Sequence, residues 1–159
     1  MNKPILYVLC GIPGSGKSYF AKHINLNAAY VSRDEVRFSI LEEDAEYFSK
    51  EDIVFHQFTS EISHYLKNNE DVIADATHIS VGSRKKLLAG IDDFGFLDYS
   101  IIFIYFNTPY EICLGRNSQR AGRALVPQSA MESMYKNFRK PSMLEDERCI
   151  GLWLMKGIT

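Results

Sequence analysis

Gly11-Ile12-Pro13-Gly14-Ser15-Gly16-Lys17-Ser18 is the stretch on which the reading of this chain turns. It satisfies G-x-x-x-x-G-K-[ST], and its flanks supply the context that pattern needs. Ile5-Leu6-Tyr7-Val8-Leu9-Cys10 precedes it, an unbroken apolar run expected of a parallel strand buried on both faces. Tyr19-Phe20-Ala21-Lys22-His23-Ile24 follows and reads as a helix with Phe20 and Ile24 on one face. Strand, glycine loop and helix start together form a phosphate cradle. Gly11, Gly14 and Gly16 let backbone N–H groups approach phosphate oxygens with no Cβ in the way. The loop, Pro13 and Ser15 included, is the expected triphosphate site. Lys17 can reach the β- and γ-phosphates, and the Ser18 hydroxyl can hold Mg²⁺. ATP or another purine triphosphate and Mg²⁺ are therefore the expected cofactors.

Outward from the loop, strands alternate with helices. Ala28–Val31 is expected as a second strand. A short helix follows from Ser32-Arg33-Asp34-Glu35, with Ser32 or Asp34 as its cap. Glu51 opens a longer helix that ends at Lys67-Asn68-Asn69. Asp71–Asp75 and Tyr99–Phe106 read as the third and fourth strands. Between them lies a helix through Ser83–Leu88 that Gly90 is expected to stop. Pro109 suits the first turn of a helix through Ile112 and Leu114. A last helix spans about Gln128 to Phe138, and Cys149–Met155 reads as a closing strand. This alternation predicts an α/β fold of the P-loop NTPase kind: a doubly wound parallel sheet of about five strands, with helices on both faces and a small lid near 116–126. At 159 residues, one domain over 1–159 is expected.

The formal net charge of −2 argues against a long nucleic-acid track, although a protein that grips only a strand end needs few phosphate contacts. Cys10, Cys113 and Cys149 have no C-x-x-C spacing, so neither a disulfide framework nor a zinc site is expected, and a reducing cytoplasm fits. No signal peptide and no apolar stretch of membrane-spanning length are expected.

Ligands of doubly wound sheets bind beyond the carboxyl ends of the strands, which gathers the glycine loop, Asp34, Asp75 and the segment after Phe106 at one crevice. Asp34 can take the proton of an attacking hydroxyl, and Arg37, three residues on, lies on the same helix face. The same spacing allows a plain intrahelical ion pair. Asp75 ends its strand as a Walker-B carboxylate does, and either it or Asp34 can serve the metal through water. Thr77 and His78 follow in a loop that can touch substrate. Arg116, Arg120 and Arg123 form a basic segment able to fold over a γ-phosphate, or simply a solvated helix end. His56 and His64 lack metal-ligand spacing. Tyr47, Phe48, Phe55 and Phe58 read as core rather than as a base-stacking platform.

Four stretches now resemble a specific family: Gly11–Ser18, Val31–Arg37, Ala74-Asp75-Ala76-Thr77-His78 and Arg116-Asn117-Ser118-Gln119-Arg120. They look like the signature set of polynucleotide 5′-hydroxyl kinases, as in the kinase domain of the phage end-healing kinase–phosphatases. Val126-Pro127 through Met134-Tyr135-Lys136 extends the likeness to about Lys140. The resemblance implies an ATP-dependent kinase acting on the 5′-OH end of single-stranded or nicked DNA or RNA in end healing. Lys17, Ser18 and Arg116 would bind the nucleotide, Asp34 would be the general base, and Arg120 would meet the γ-phosphate. Arg37 would contact an acceptor phosphate, with Asp75, Thr77 and His78 nearby. Three features depart from the family: an extra Ala76 with His78 in place of Asn, one inserted residue within 121–125, and no D-x-D-x-[TV] phosphatase motif. The competing readings are a small-metabolite or nucleotide-sugar kinase and an NTP-binding regulatory module.

Overall fold

The structure, a computed structural model, describes residues 2–95 and 98–156. In chain order the elements are β1 (Ile5–Cys10), α1 (Lys17–His23), β2 (Ala29–Ser32), α2 (Arg33–Ile40), α3 (Glu51–Lys67), β3 (Val72–Asp75), α4 (Val81–Asp92), β4 (Ser100–Asn107), α5 (Tyr110–Ser118), α6 (Gln128–Asn137) and β5 (Cys149–Lys156). Single 3₁₀ turns lie at Gly122–Ala124 and Met143–Glu145. The five strands are all parallel, in the order β2-β3-β1-β4-β5.

The uninterrupted apolar run of β1 follows from this central place. Leu6, Val8 and Cys10 face one core with Val54, Phe58, Ile62, Leu87 and Ile91 of α3 and α4. Tyr7 and Leu9 face the other, with Phe20 of α1 and Ile104 and Phe106 of β4. A smaller core of Ile12, Cys113 and Met131 seats α5 and α6 against the glycine loop. The sheet is thus covered on both faces, the doubly wound architecture expected from the alternation of elements.

Gly90 does not stop α4. The helix runs on to Asp92, because this glycine answers a packing need: a Cβ there would stand 2.8 Å from Phe55 Cζ of α3. Glycine at this point lets the two helices approach closely. Arg84, within the helix expected through Ser83–Leu88, is only 1% exposed. Its guanidinium forms a two-pronged bridge to Glu145, at 2.8 and 3.0 Å, and donates to the His78 carbonyl at 2.8 Å. It thereby ties the loop after β3 to the Met143–Glu145 turn.

Candidate active site

β1 ends at Cys10 and the chain turns at once into the glycine loop. Gly14 adopts φ 84° and Gly16 φ 103°, the left-handed region that other residues enter at a cost. A Cβ on Gly14 would also meet the Cys113 carbonyl oxygen at 2.6 Å, so α5 packs directly against the loop. The loop is anchored on its far side by the Gly11 N–H, which donates to the Thr77 carbonyl at 2.9 Å. Gly16 caps α1 without a side chain, and no acidic residue stands in the first turn. The first-turn N–H groups are left for an anion.

Two further observations fit a phosphate. Ser15 Oγ is buried in the loop and has no hydrogen-bond partner among the described residues. Lys17 is 8% exposed, and its ammonium, with three donors, bends back to the Ile12 carbonyl at 3.0 Å. Burial pushes the Lys17 pKa down; Asp75 and Asp34 pull it back up, and Arg120 adds to the depression. The charges of Asp34, Asp75 and Arg120 therefore all bear on Lys17, as expected of groups around one crevice. A buried, under-paired ammonium is stabilised by an incoming anion.

Asp75 closes β3 in register with Ser32 of β2. Ser18 Oγ donates to Asp75 Oδ2 at 2.8 Å, and the Tyr30 hydroxyl donates to the same oxygen. Burial, reinforced by Asp75, raises the Tyr30 pKa, so this donor stays protonated. Among the described residues no group of three or more His, Cys, Asp or Glu could enclose a metal. The Ser18–Asp75 pair instead fits Mg²⁺, which typically keeps several waters and takes one or two carboxylates plus substrate phosphates.

Asp34 sits in the first turn of α2, which Ser32 caps by accepting from the Glu35 N–H at 3.2 Å. Its side chain is 54% exposed, while that of Arg37 is 5% exposed. The intrahelical pair that the spacing allows is present: Arg37 Nη1 donates to Asp34 Oδ1. Arg37 Nη1 also reaches the Tyr47 hydroxyl at 2.7 Å, and Arg37 Nε reaches Glu51 Oε1 at 2.9 Å. The Tyr47 hydroxyl in turn donates to Asp34 Oδ1, and burial followed by Asp34 raises its pKa. Glu51 bridges two arginines, holding Arg33 through Oε2 and Arg37 through Oε1. Arg37 is thus the centre of a buried network, with all three of its nitrogens engaged. Both donors to Asp34 land on Oδ1, which leaves Oδ2 for an incoming hydroxyl.

Glu51 was not singled out from sequence, and Tyr47 was read as core. Glu51 reads simply as a helix start; only the packing of the 41–50 connection and α3 against α2 brings the Tyr47 hydroxyl to Asp34 and Glu51 to Arg37. His78 is buried too, with φ 42°. Its Nδ1–H donates to the Leu9 carbonyl at 2.7 Å behind the glycine loop, and its ring stacks on Phe58 at 6.2 Å. Desolvation lowers its pKa to about 3, so the ring is neutral. Asp75, the last residue of β3, brings its side chain to the Ser18 hydroxyl; Thr77, in the turn that follows, contributes its carbonyl to Gly11.

The basic segment after α5 divides into three roles. Arg116 Nη1 donates to the Gly14 carbonyl at 3.0 Å, on the glycine loop itself. Asn117 clasps Val126 through both its amide groups, at 2.7 and 3.0 Å, which closes the segment into a compact flap. Arg123 lies 4.5 Å over the Phe38 ring and donates to the Phe38 and Leu41 carbonyls at 3.3 Å. Those carbonyls are at the carboxyl end of α2, where helix acceptors lack partners. Arg120 is exposed, and its charge reaches Lys17.

Among the described residues no helix is long and apolar enough to cross a membrane. Similar proteins were found by sequence and by fold. The L-seryl-tRNA(Sec) kinase of Methanococcus maripaludis is 27% identical over 144 residues, covering 86% of this chain and 53% of that protein. A chain of the Pnkp1/Rnl/Hen1 RNA repair complex is 27% identical at a TM-score of 0.70, covering 86% of this chain and 44% of that one. This chain thus spans about half the length of each. A sugar kinase from Janibacter sp. HTCC2649 superposes at a TM-score of 0.64 with 18% identity, over 98% of this chain and 86% of that one, and shares the fold alone. The fold is therefore that of P-loop phosphotransferases with diverse acceptors. The family model described as AAA domain matches residues 6–141, most of the chain, and the protein belongs to that family.

Proposed function

We propose that the protein is a P-loop kinase that transfers the γ-phosphate of ATP to the 5′-hydroxyl at a nucleic-acid end, with RNA the favoured acceptor. The observation that carries this reading is the Asp34 carboxylate. It is half-exposed at the carboxyl edge of the sheet, pinned on Oδ1 by Arg37 and Tyr47, and within electrostatic reach of Lys17. The two proteins of 27% identity named above are a seryl-tRNA kinase and a chain of an RNA repair complex, which supports RNA over DNA.

In the reaction, Asp34 Oδ2 accepts the proton of the acceptor hydroxyl as its oxygen attacks the γ-phosphorus. The bond between that phosphorus and the β–γ bridging oxygen breaks, and the electron pair leaves with ADP. Lys17 and the loop N–H groups hold the donor's phosphates. Ser18 and Asp75 would hold Mg²⁺, which neutralises charge on the phosphate oxygens. Arg120, an exposed guanidinium whose charge reaches Lys17, would meet charge developing on the transferred group, and Arg116 fastens the flap to the loop. Arg37 keeps Asp34 oriented, so its part in transfer runs through that carboxylate.

A second reading has its own support: the relative named for seryl-tRNA phosphorylates a serine hydroxyl carried on RNA. One assay separates these readings. Labelled ATP is offered with 5′-OH RNA, 5′-OH DNA, seryl-tRNA, nucleosides and sugars. The proposal expects label on the 5′ end of RNA above all. Label on seryl-tRNA alone favours the second reading, and label on sugars or nucleosides without polymer ends overturns both.

A further inference from the structure

The connection between α2 and α3 places an aromatic shelf beside Asp34. Phe48, expected in the core, is 62% exposed. Its ring packs edge-on against Tyr47 at 4.6 Å and 81°, and Tyr47 packs edge-on against Phe38 at 6.1 Å and 70°. Tyr47 is the middle ring: its hydroxyl touches the Asp34 carboxylate, Phe48 and Phe38 each pack against it, and Arg123 of the flap lies over Phe38. Arg37 underlies the shelf, 4.1 Å from the Tyr47 ring and 5.7 Å from that of Phe48.

We propose that this shelf is the subsite for the acceptor's terminal nucleobase, which stacks on the Phe48 face while its 5′-hydroxyl meets Asp34. The inference rests on the nucleic-acid-end reading above and adds what the acceptor is recognised by. The Tyr47 hydroxyl touches Asp34 and the Phe48 ring packs on Tyr47, so a nucleoside whose 5′-hydroxyl meets Asp34 has an aromatic surface beside it. Every base has a π-face, so such a platform accepts any sequence. The exposed guanidinium of Arg123, bound among the described residues only to carbonyls, puts a positive charge at the Phe38 end of the shelf, which suits an acceptor with a phosphate chain. A free sugar brings no flat ring to this position and makes no use of the shelf.

The test compares two RNA acceptors with ATP and the full chain: one with an ordinary 5′-terminal nucleoside, one with an abasic 5′-terminal ribose. Base–aromatic stacking on this scale changes affinity on the order of tenfold. Wild type should therefore show an acceptor KM on the order of tenfold lower for the ordinary RNA. Phe48→Ala should raise that KM to the abasic value, leave the abasic KM where it was, and not alter the KM for ATP. Phe48→Trp should keep the preference and Phe48→Leu should lose it, which separates stacking from simple apolar contact. Phe48 is exposed, so these variants are expected to fold, and unfolding curves matching wild type would verify it. Labelling of RNA ends with no dependence on the terminal base, or an equal KM rise for both acceptors in Phe48→Ala, overturns this inference alone. Failure of wild type to label any RNA end overturns it together with the function proposed above.

Discussion

In the donor half of the crevice, the backbone of eight consecutive residues shapes the site and is held from outside by Thr77, Cys113 and Arg116. In the acceptor half, Asp34 is held by Arg37 from its own helix, by Tyr47 from the following connection, and through Arg37 by Glu51 at the start of α3. The first half is backbone: left-handed glycines, a helix start, and N–H groups that no substitution of a neighbouring side chain removes. The second is side chain, made of polar groups whose positions depend on one another. The contrast teaches where each half is fragile. A point change in the loop acts locally and abolishes function without touching the acceptor side, whereas a point change around Asp34 spreads through the network.

The largest effect is therefore expected at Lys17. Its ammonium is buried and tied to one carbonyl, so Lys17→Ala should leave no measurable transfer while the protein remains folded. The circular dichroism spectrum and melting curve should match wild type or exceed it, because an under-paired buried charge has been removed. Collapse of the fold would mean that the donor half depends on side chains after all.

Arg120→Ala comes next. A cis arginine at a phosphoryl-transfer transition state contributes roughly 10³–10⁵ in rate, and Arg120 has no structural burden visible in its exposed position. Turnover in single-turnover transfer at saturating ATP should fall at least about 10³-fold with little change in ATP affinity, and Arg120→Lys should restore little because a point charge cannot fork between two oxygens. A loss under tenfold would remove Arg120 from the chemistry. For Asp34→Asn a loss of about 10²–10⁴ in rate is expected for a missing general base, with ATP affinity kept. Equal damage to nucleotide binding would place Asp34 on the metal instead.

What sequence reading could reach follows the same division. The glycine loop, β1 and the α/β order were legible because local pattern encodes them: the apolar run of β1 is what a doubly covered strand requires. Ser32 as a cap and Asp75 at a strand end were legible for the same reason. Gly90 was misread because a glycine inside a helix looks like a stop, when its reason lies 35 residues away in Phe55. Arg84, Glu51 and Tyr47 carry no local mark of their partners. Phe48 was placed in the core by its composition, and only the turn geometry of 41–50 sets it outside. The acceptor side is thus written in contacts between distant residues, which one sequence does not display.

Arg37→Ala sharpens the comparison from the acceptor side. A substrate clamp would raise the acceptor KM in a way that weakens with salt. A network centre loses stability as well, and the salt dependence is slight because the guanidinium is only 5% exposed. Removing one partner of a fully buried pair costs about 3–5 kcal/mol. Asp34 and Glu51 reach solvent, so a loss of about 1–3 kcal/mol is expected here. Urea unfolding reads this directly, and a variant as stable as wild type would return Arg37 to the substrate.

The smallest effect is at the seam between the halves, where His78 lies behind the loop. Burial lowers its pKa from 6.5 to about 3, so the folded protein binds fewer protons at this site than the unfolded chain between those values. Stability must then rise with pH across that window: the contribution of a neutral His78 is whole above about pH 6.5 and is lost as pH falls toward 3. The slope approaches about 1.4 kcal/mol per pH unit once the unfolded histidine is protonated. Carboxylates titrate in the lower part of the window, so the useful reading lies between pH 6.5 and 5 and is a difference from a variant. His78→Asn is suited to this, since asparagine tolerates the left-handed φ of 42° and its amide can donate to the Leu9 carbonyl in place of the ring. Wild type should lose about 1–2 kcal/mol more than His78→Asn over that interval in urea unfolding. At pH 7 the two should differ by less than about 1 kcal/mol, with the glycine loop and its ATP affinity intact. Parallel stability curves would mean that His78 gains a proton without leaving its place, and that the loop is less sealed from behind than its burial indicates. A steep difference would fix the loop's rear wall as a dry surface and leave the acceptor face as the side open to water.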